Sequence, residues 1–255
     1  MRPRSLFRIR ALAFALAPAL ALASASLACS SSSSEPEIVH GSAVDHGRTL
    51  FDDPKTSSSA SNTFTCATCH RQDAASPGPT RLDPGALLGG VTSRKTFWGG
   101  QRVDLLESIN DCRSFFMDAR TPWTTDDEDA RAMYAFLVQL TPTAPEAVPF
   151  TVVESPVDLA PGDPKRGAIA YDLACKTCHG TVHDGAGKLA TFIPVLPDEV
   201  VRAHAPLSLS PAQLRLVFVT KARLGAFRGG GSMPPFSREV LADDDLAGIL
   251  AFFAL

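Results

Sequence analysis

Two pentapeptides, "CATCH" (Cys66 to His70) and "CKTCH" (Cys175 to His179), constrain this chain more than any other feature of its 255 residues. They begin 109 residues apart, and their surroundings repeat as well. Gly47-x-x-x-Phe51 precedes the first and Gly167-x-x-x-Tyr171 the second. After them come "DARAMYAFLVQL" (Asp129 to Leu140) and "DLAGILAFFAL" (Asp245 to Leu255), in which Ala135 and Phe136 align with Ala251 and Phe252. Such self-similarity predicts a tandem of two small helical units. In each, glycine on the first helix lets the last helix come close, and the aromatic residue four positions on packs at the crossing.

A pair of thiols at this spacing, followed at once by histidine, is the attachment pattern of c-type haem. The thiols reach the two vinyl groups of one porphyrin, and the adjacent imidazole is directed at the iron. The expectation is therefore two covalently attached haem c groups, one on Cys66, Cys69 and His70, the other on Cys175, Cys178 and His179. A zinc site would need ligands converging from both pairs and would leave the trailing histidines unexplained. Disulfides within each pair are the other reading that an oxidising compartment allows.

Each half resembles class I cytochrome c, over residues 45–141 and 161–255. That resemblance implies an all-α fold, with a few short helices wrapped round each haem. Between the halves, the proline-dense stretch 142–160 reads as an extended connector. Fourteen residues, Asp52 to Thr65, separate Phe51 from Cys66 where the second half needs only three, which predicts a surface loop.

Residues 1–28 carry Arg2, Arg4, Arg8 and Arg10, no acidic residue, and an alanine- and leucine-rich run, the pattern of an export signal. Retention as a spanning helix is the alternative, disfavoured by Pro18 and by small residues at the end of the run. "SLACSSSSSE" (Ser26 to Glu35) resembles a bacterial lipoprotein signal, with Ser26 where that family prefers leucine. The resemblance implies a lipid on Cys29, a serine-rich tether over residues 29–44, and a periplasmic, membrane-anchored protein. Loss of residues 1–28 moves the formal charge from −3 to −7, which argues against a nucleic-acid partner. "RGGGSMPP" lacks the lysine of a phosphate-binding loop.

Each iron needs a ligand on its other face. For the second, Met233 in "GSMPPFS" stands 54 residues after His179 and just before the terminal helix, where class I cytochromes carry their methionine. His204 is the rival. For the first, Met117 precedes Phe136 by the same nineteen residues that separate Met233 from Phe252. Cys112 competes: with four thiols committed and Cys29 lipidated or removed, it has no sulfur left to pair with. His40 and His46 are further candidates, and an inert buried Cys112 is also open.

"ESINDCRSFFM" (Glu107 to Met117) resembles periplasmic dihaem thiosulfate dehydrogenases, a likeness that implies a cysteine ligand, here Cys112, on the N-terminal haem. Three functions follow. The chain is an electron carrier between redox partners (an oxidase, a reductase or a soluble cytochrome), an oxidoreductase of a small sulfur compound, or the cytochrome subunit of a larger dehydrogenase. The enzyme reading needs cations near the first haem to hold a sulfur oxyanion, with Arg71, Arg81, Arg94, Arg102 and Arg113 as candidates. Trp98 reads as core in preference to a haem edge, and His183 as a loop residue. No hydrolytic triad or hydride-transfer motif is present.

Overall fold

In a computed structural model the described residues are 42–72, 81–140, 149–227 and 230–255. The signal segment, Cys29 and His40 lie outside them. From His40 onward the chain forms one compact unit. Among the described residues there are helices and turns with no strand, only an isolated bridge between Phe97 and Arg102. None of those helices is long and apolar enough to cross a membrane.

Helix α1 (Ala43–Asp52) starts where the Ser42 hydroxyl accepts from the Asp45 amide, satisfying one open N–H of the first turn. Helix α2 (Cys66–Cys69) is only one turn long and is held by a reciprocal cap. Thr65 accepts from the Thr68 amide at 3.1 Å, and Thr68 accepts from the Thr65 amide at 3.0 Å. Then follow α3 (Leu105–Met117), capped by Asp104, and α4 (Glu128–Gln139), with Glu128 and Asp129 in its first turn.

The second half runs α5 (Pro164–Ala174), α6 (Lys176–His179), α7 (Asp198–His204), α8 (Pro211–Leu224) and α9 (Asp243–Phe252). Proline opens α5 and α8, where its missing N–H costs nothing. Three aspartates, Asp243 to Asp245, sit against the positive end of α9.

The repeat appears as two equivalent helix crossings. A Cβ on Gly47 would lie 2.1 Å from the Ala132 carbonyl oxygen, and one on Gly167 would lie 1.9 Å from that of Gly248. Only glycine allows either approach. Four residues on, the Phe51 and Phe136 rings meet at 5.5 Å, and Tyr171 lies 5.9 Å from Phe252 and 5.6 Å from Phe253. The Tyr171 hydroxyl also donates to the Gly180 carbonyl at 2.9 Å, fastening α5 to the second pentapeptide.

Around each crossing lies an apolar core, with Leu50, Phe51, Met133 and Phe136 in the first and Tyr171, Phe218, Ile249 and Leu250 in the second. A third cluster joins the halves, burying Phe64, Phe116 and Met117 against Ile193, with Cys112 and Cys178 beside them. Leu82 of the first half packs on the second core, and its amide donates to the Leu173 carbonyl at 2.9 Å. Residues 149–160 of the connector hold no helix or strand and are strapped down. Thr151 donates to Glu239 through both its amide and its hydroxyl, and Arg215 grips Asp158 with two hydrogen bonds of 2.6 and 3.0 Å.

The stretch from Asp52 to Thr65 is not the surface loop expected from its length. It forms a 3-10 turn at Pro54–Ser57 and buries Thr56, Ser57 and Phe64. Asn62 holds it by donating to the carbonyls of Pro54 and Phe64, both at 2.7 Å.

Candidate functional site: two histidine–thiol sites

The two pentapeptide histidines share one arrangement. His70 Nδ1 donates to the Ala86 carbonyl at 2.8 Å, and His179 Nδ1 donates to the Pro194 carbonyl at 2.8 Å. A carbonyl can only accept, so both rings carry the proton on Nδ1 and keep a lone pair on Nε2. Burial lowers the pKa of each ring, outweighing the opposite effect of its carbonyl bond, so both are neutral. This is the form in which imidazole binds a metal, and the backbone bond fixes its orientation. Gly85 presses on the first ring so closely that a Cβ there would stand 2.4 Å from His70 Cε1.

The His70 imidazole opens into a cavity of 430 Å³, within the size range of a cofactor pocket. Cys66 and Cys69 share its wall, and α3 contributes Cys112, Arg113 and Met117. Trp98, expected in the core, lines this cavity, within 6.0 Å of the Phe116 ring and 5.4 Å of that of Phe227. Met133 and Phe64 line it too, as do Pro234 and Pro235 from the second half.

Burial pushes the thiols of Cys66, Cys69 and Cys175 up to about 12, so each sulfur is neutral. Among the described residues no three His, Cys, Asp or Glu side chains form a metal cluster, and the five cysteines are unpaired. Cys69 also feels Cys178 and Arg81, so the two attachment motifs stand close together. Cys112 is raised well above the usual thiol value, by burial first and then by Cys66 and Cys69. An anionic sulfur forms there only against a cation brought into the cavity. Met117, 4% exposed, lines the same cavity.

In the second site His179 is 8% exposed, and Cys175 and Met233 pack against one core. The Met233 carbonyl accepts from the Ala226 amide at 2.8 Å and lies where a Cβ on Gly225 would meet it at 2.4 Å. Arg223, 1% exposed, holds the chain that follows. It donates to the carbonyls of Phe236, Ser237 and Leu241 and pairs with Asp243 at 2.7 Å. Nothing in the sequence marked this arginine, since its partners lie up to 20 residues away.

Other candidates are placed elsewhere. His46 pairs with Asp129 at 2.8 Å, tying α1 to α4, and does not line the cavity. His204 Nδ1 bonds the Val200 carbonyl at 2.9 Å, and His183 is an exposed loop residue facing Asp198 at 3.0 Å. Arg71 and Arg81 flank the buried Asp83, with Arg81 also donating to the Ala67 carbonyl inside the first motif at 2.8 Å. Arg102 pairs with Asp111 at 2.6 Å. Of the five arginines considered as anion holders, only Arg94 and Arg113 face the cavity.

The donor set fits a haem in each half: paired neutral sulfurs, an oriented neutral imidazole, and in the first half a largely apolar cavity large enough to hold the face of a ring. The comparisons point the same way for the second half. Residues 162–253 match the family described as cytochrome c oxidase, cbb3-type, subunit III, so this part is a cytochrome c-family domain, which implies covalently bound haem c and electron transfer. Over those residues the fold is cytochrome c-like. No curated protein sequence matches the chain. Among solved structures, thiosulfate dehydrogenase (TsdBA) from Marichromatium purpuratum, in its as-isolated form, aligns with 19% identity and a TM-score of 0.39. The alignment covers 86% of this chain and 47% of that one, so the chain spans about half its length.

Proposed function

We propose that the protein is an exported dihaem c-type cytochrome that carries electrons between redox partners, anchored to the membrane through a lipid on Cys29. The observation that supports it most is the duplicated histidine geometry. Both rings follow a thiol pair, and both are oriented by a carbonyl 15 or 16 residues further on. Haem bound at these sites supplies reversible one-electron chemistry. The chain's part is to hold His70 and His179 as neutral donors, exclude water, and present a second ligand to each iron. For the second that ligand is Met233. For the first it is Cys112, with Met117 as the alternative. Thioether opposite imidazole raises a potential, whereas a thiolate stabilises ferric iron and lowers it, so electrons run downhill from the first site to the second.

The test is direct. Protein from a host that matures cytochromes should show a pyridine haemochrome band and a mass increased by two haems. A ferric thiolate signal in electron paramagnetic resonance, lost in Cys112→Ser and kept in Met117→Leu, assigns the first ligand to Cys112; the reverse pattern in a methionine charge-transfer band assigns it to Met117. A mass carrying no haem overturns the proposal.

A second reading, oxidation of a small sulfur compound, is favoured by Cys112 lining the cavity beside Arg113. Two thiosulfates joining as tetrathionate release two electrons, one for each proposed haem. Rapid reduction by thiosulfate with tetrathionate formed supports that reading. Reduction only by protein partners supports the carrier.

A further inference from the structure

Among the described residues two arginines are almost completely buried, and they are treated differently. Arg223, at 1% exposure, has the carboxylate of Asp243 at 2.7 Å. Arg113, at 4%, has only neutral partners: Asn110 Oδ1 at 3.1 Å and the carbonyls of Thr121 and Thr56, both at 3.3 Å. The Trp123 ring covers its guanidinium at 3.9 Å. Its Nε is buried without a hydrogen-bond partner. The carboxylates of Asp127 and Asp129 act on this cation only from a distance, and a buried cation with no bonded counter-charge and an idle donor is costly in a folded chain. The deficit lies at the cavity wall. Arg94 lines the same cavity, bonded only to the carbonyls of Leu87 and Gly89, and no aspartate or glutamate is among the lining residues. The cavity is thus largely apolar with two cations in its wall, an arrangement that favours an occupant bearing negative charge.

We propose that Arg113, through Nε, and Arg94 are the counter-charges for the carboxylates of the group that fills the first cavity, the two propionates of a haem. This rests on the dihaem reading above. The same donors would accept a free sulfur oxyanion, and the experiment separates the two sources. Removing a cation favours ferric over ferrous iron. One unit charge about 10 Å away at an effective dielectric of about 20 changes the reduced-to-oxidised ratio at fixed ambient potential roughly tenfold.

Haem-loaded full-length protein is titrated spectroelectrochemically as wild type, Arg113→Gln, Arg113→Lys and Arg94→Gln, with the second haem as internal reference. The expected result is a roughly tenfold fall in that ratio for the first haem in Arg113→Gln, a smaller fall in Arg94→Gln, and recovery of most of it in Arg113→Lys. A shift of the propionate bending modes in the resonance Raman spectrum should accompany the loss. If Arg113→Gln fails to fold, the less deeply buried Arg94 carries the test. An unmoved ratio, or a lysine variant as perturbed as the glutamine one, overturns the assignment. So does a saturable response of the wild type to thiosulfate or sulfate that is absent in Arg113→Gln, which would give the arginine to a free oxyanion. A mass short of two haems overturns the dihaem reading instead, so the two failures are distinct.

Discussion

At Gly47 and Gly167 a single hydrogen in place of a methyl decides whether two helices can touch. The Cβ of alanine would fall within 2.1 Å of a backbone carbonyl oxygen at one and 1.9 Å at the other, and backbone cannot swing aside as a side chain can. Gly47→Ala and Gly167→Ala should each cost ~3 kcal/mol, seen as a lowered midpoint in thermal unfolding followed by circular dichroism. Arg223 answers to a different term. Arg223→Met removes the guanidinium donor from three carbonyls and leaves Asp243 with Arg238 at 3.1 Å, and should cost ~3 kcal/mol. Because the freed segment begins three residues after Met233, the variant should also weaken any methionine–iron absorption band while leaving haem content unchanged.

Residues differ in how legible they were, and the reason is physical. The thiol pairs and their histidines announce themselves because the covalent attachment proposed for them would fix their spacing locally. The glycines and aromatics of the crossings show because two helices repeat them in one register. Arg113 and Arg223 do not show: each owes its burial to segments that meet it only in the folded chain, Thr56 and Trp123 for one and residues 236–243 for the other.

Among the elements, α2 illustrates how little helix a site needs when its cap is complete. Four residues cannot hold a helix by propagation, so the reciprocal Thr65–Thr68 bonds carry it. Thr68→Ala removes one of them and should lower stability by ~1 kcal/mol in chemical denaturation. The connector is a second case. Proline density predicted an extended path; it held no sign of the fastening to Glu239. Burial opposes ionisation of that carboxyl, yet the bonds from Thr151 prevail and hold it at about 2, below the usual 4.5. The sign follows: a depressed carboxyl pKa contributes stability that is complete above pH 4.5 and lost as the pH falls toward about 2. Glu239→Gln should therefore narrow the gap in unfolding midpoint between pH 6 and pH 3. An unchanged gap would remove Glu239 from the acid response.

For the molecule as a whole, the repeat pattern predicted a tandem of two helical units, and residues from both halves pack together in one compact unit. Phe64, Phe116 and Met117 share a buried cluster with Ile193, and Leu82 sits in the core of the other half. Periodicity reports the face a helix turns inward, not which neighbouring unit will cover a residue such as Phe64. With so much apolar surface shared, residues 40–255 should unfold in one calorimetric transition whose van't Hoff and calorimetric enthalpies agree. Two resolved transitions would show that the shared cluster is energetically slight.

Pro234 and Pro235 follow Met233 directly and wall the cavity that opens from His70. A mutation there answers to two masters. On the proposed dihaem reading, a change that improved the fit around one iron would reshape the container of the other, so drift in this loop would be screened twice over. Neither half, expressed as a separate gene product, would inherit an intact first chamber.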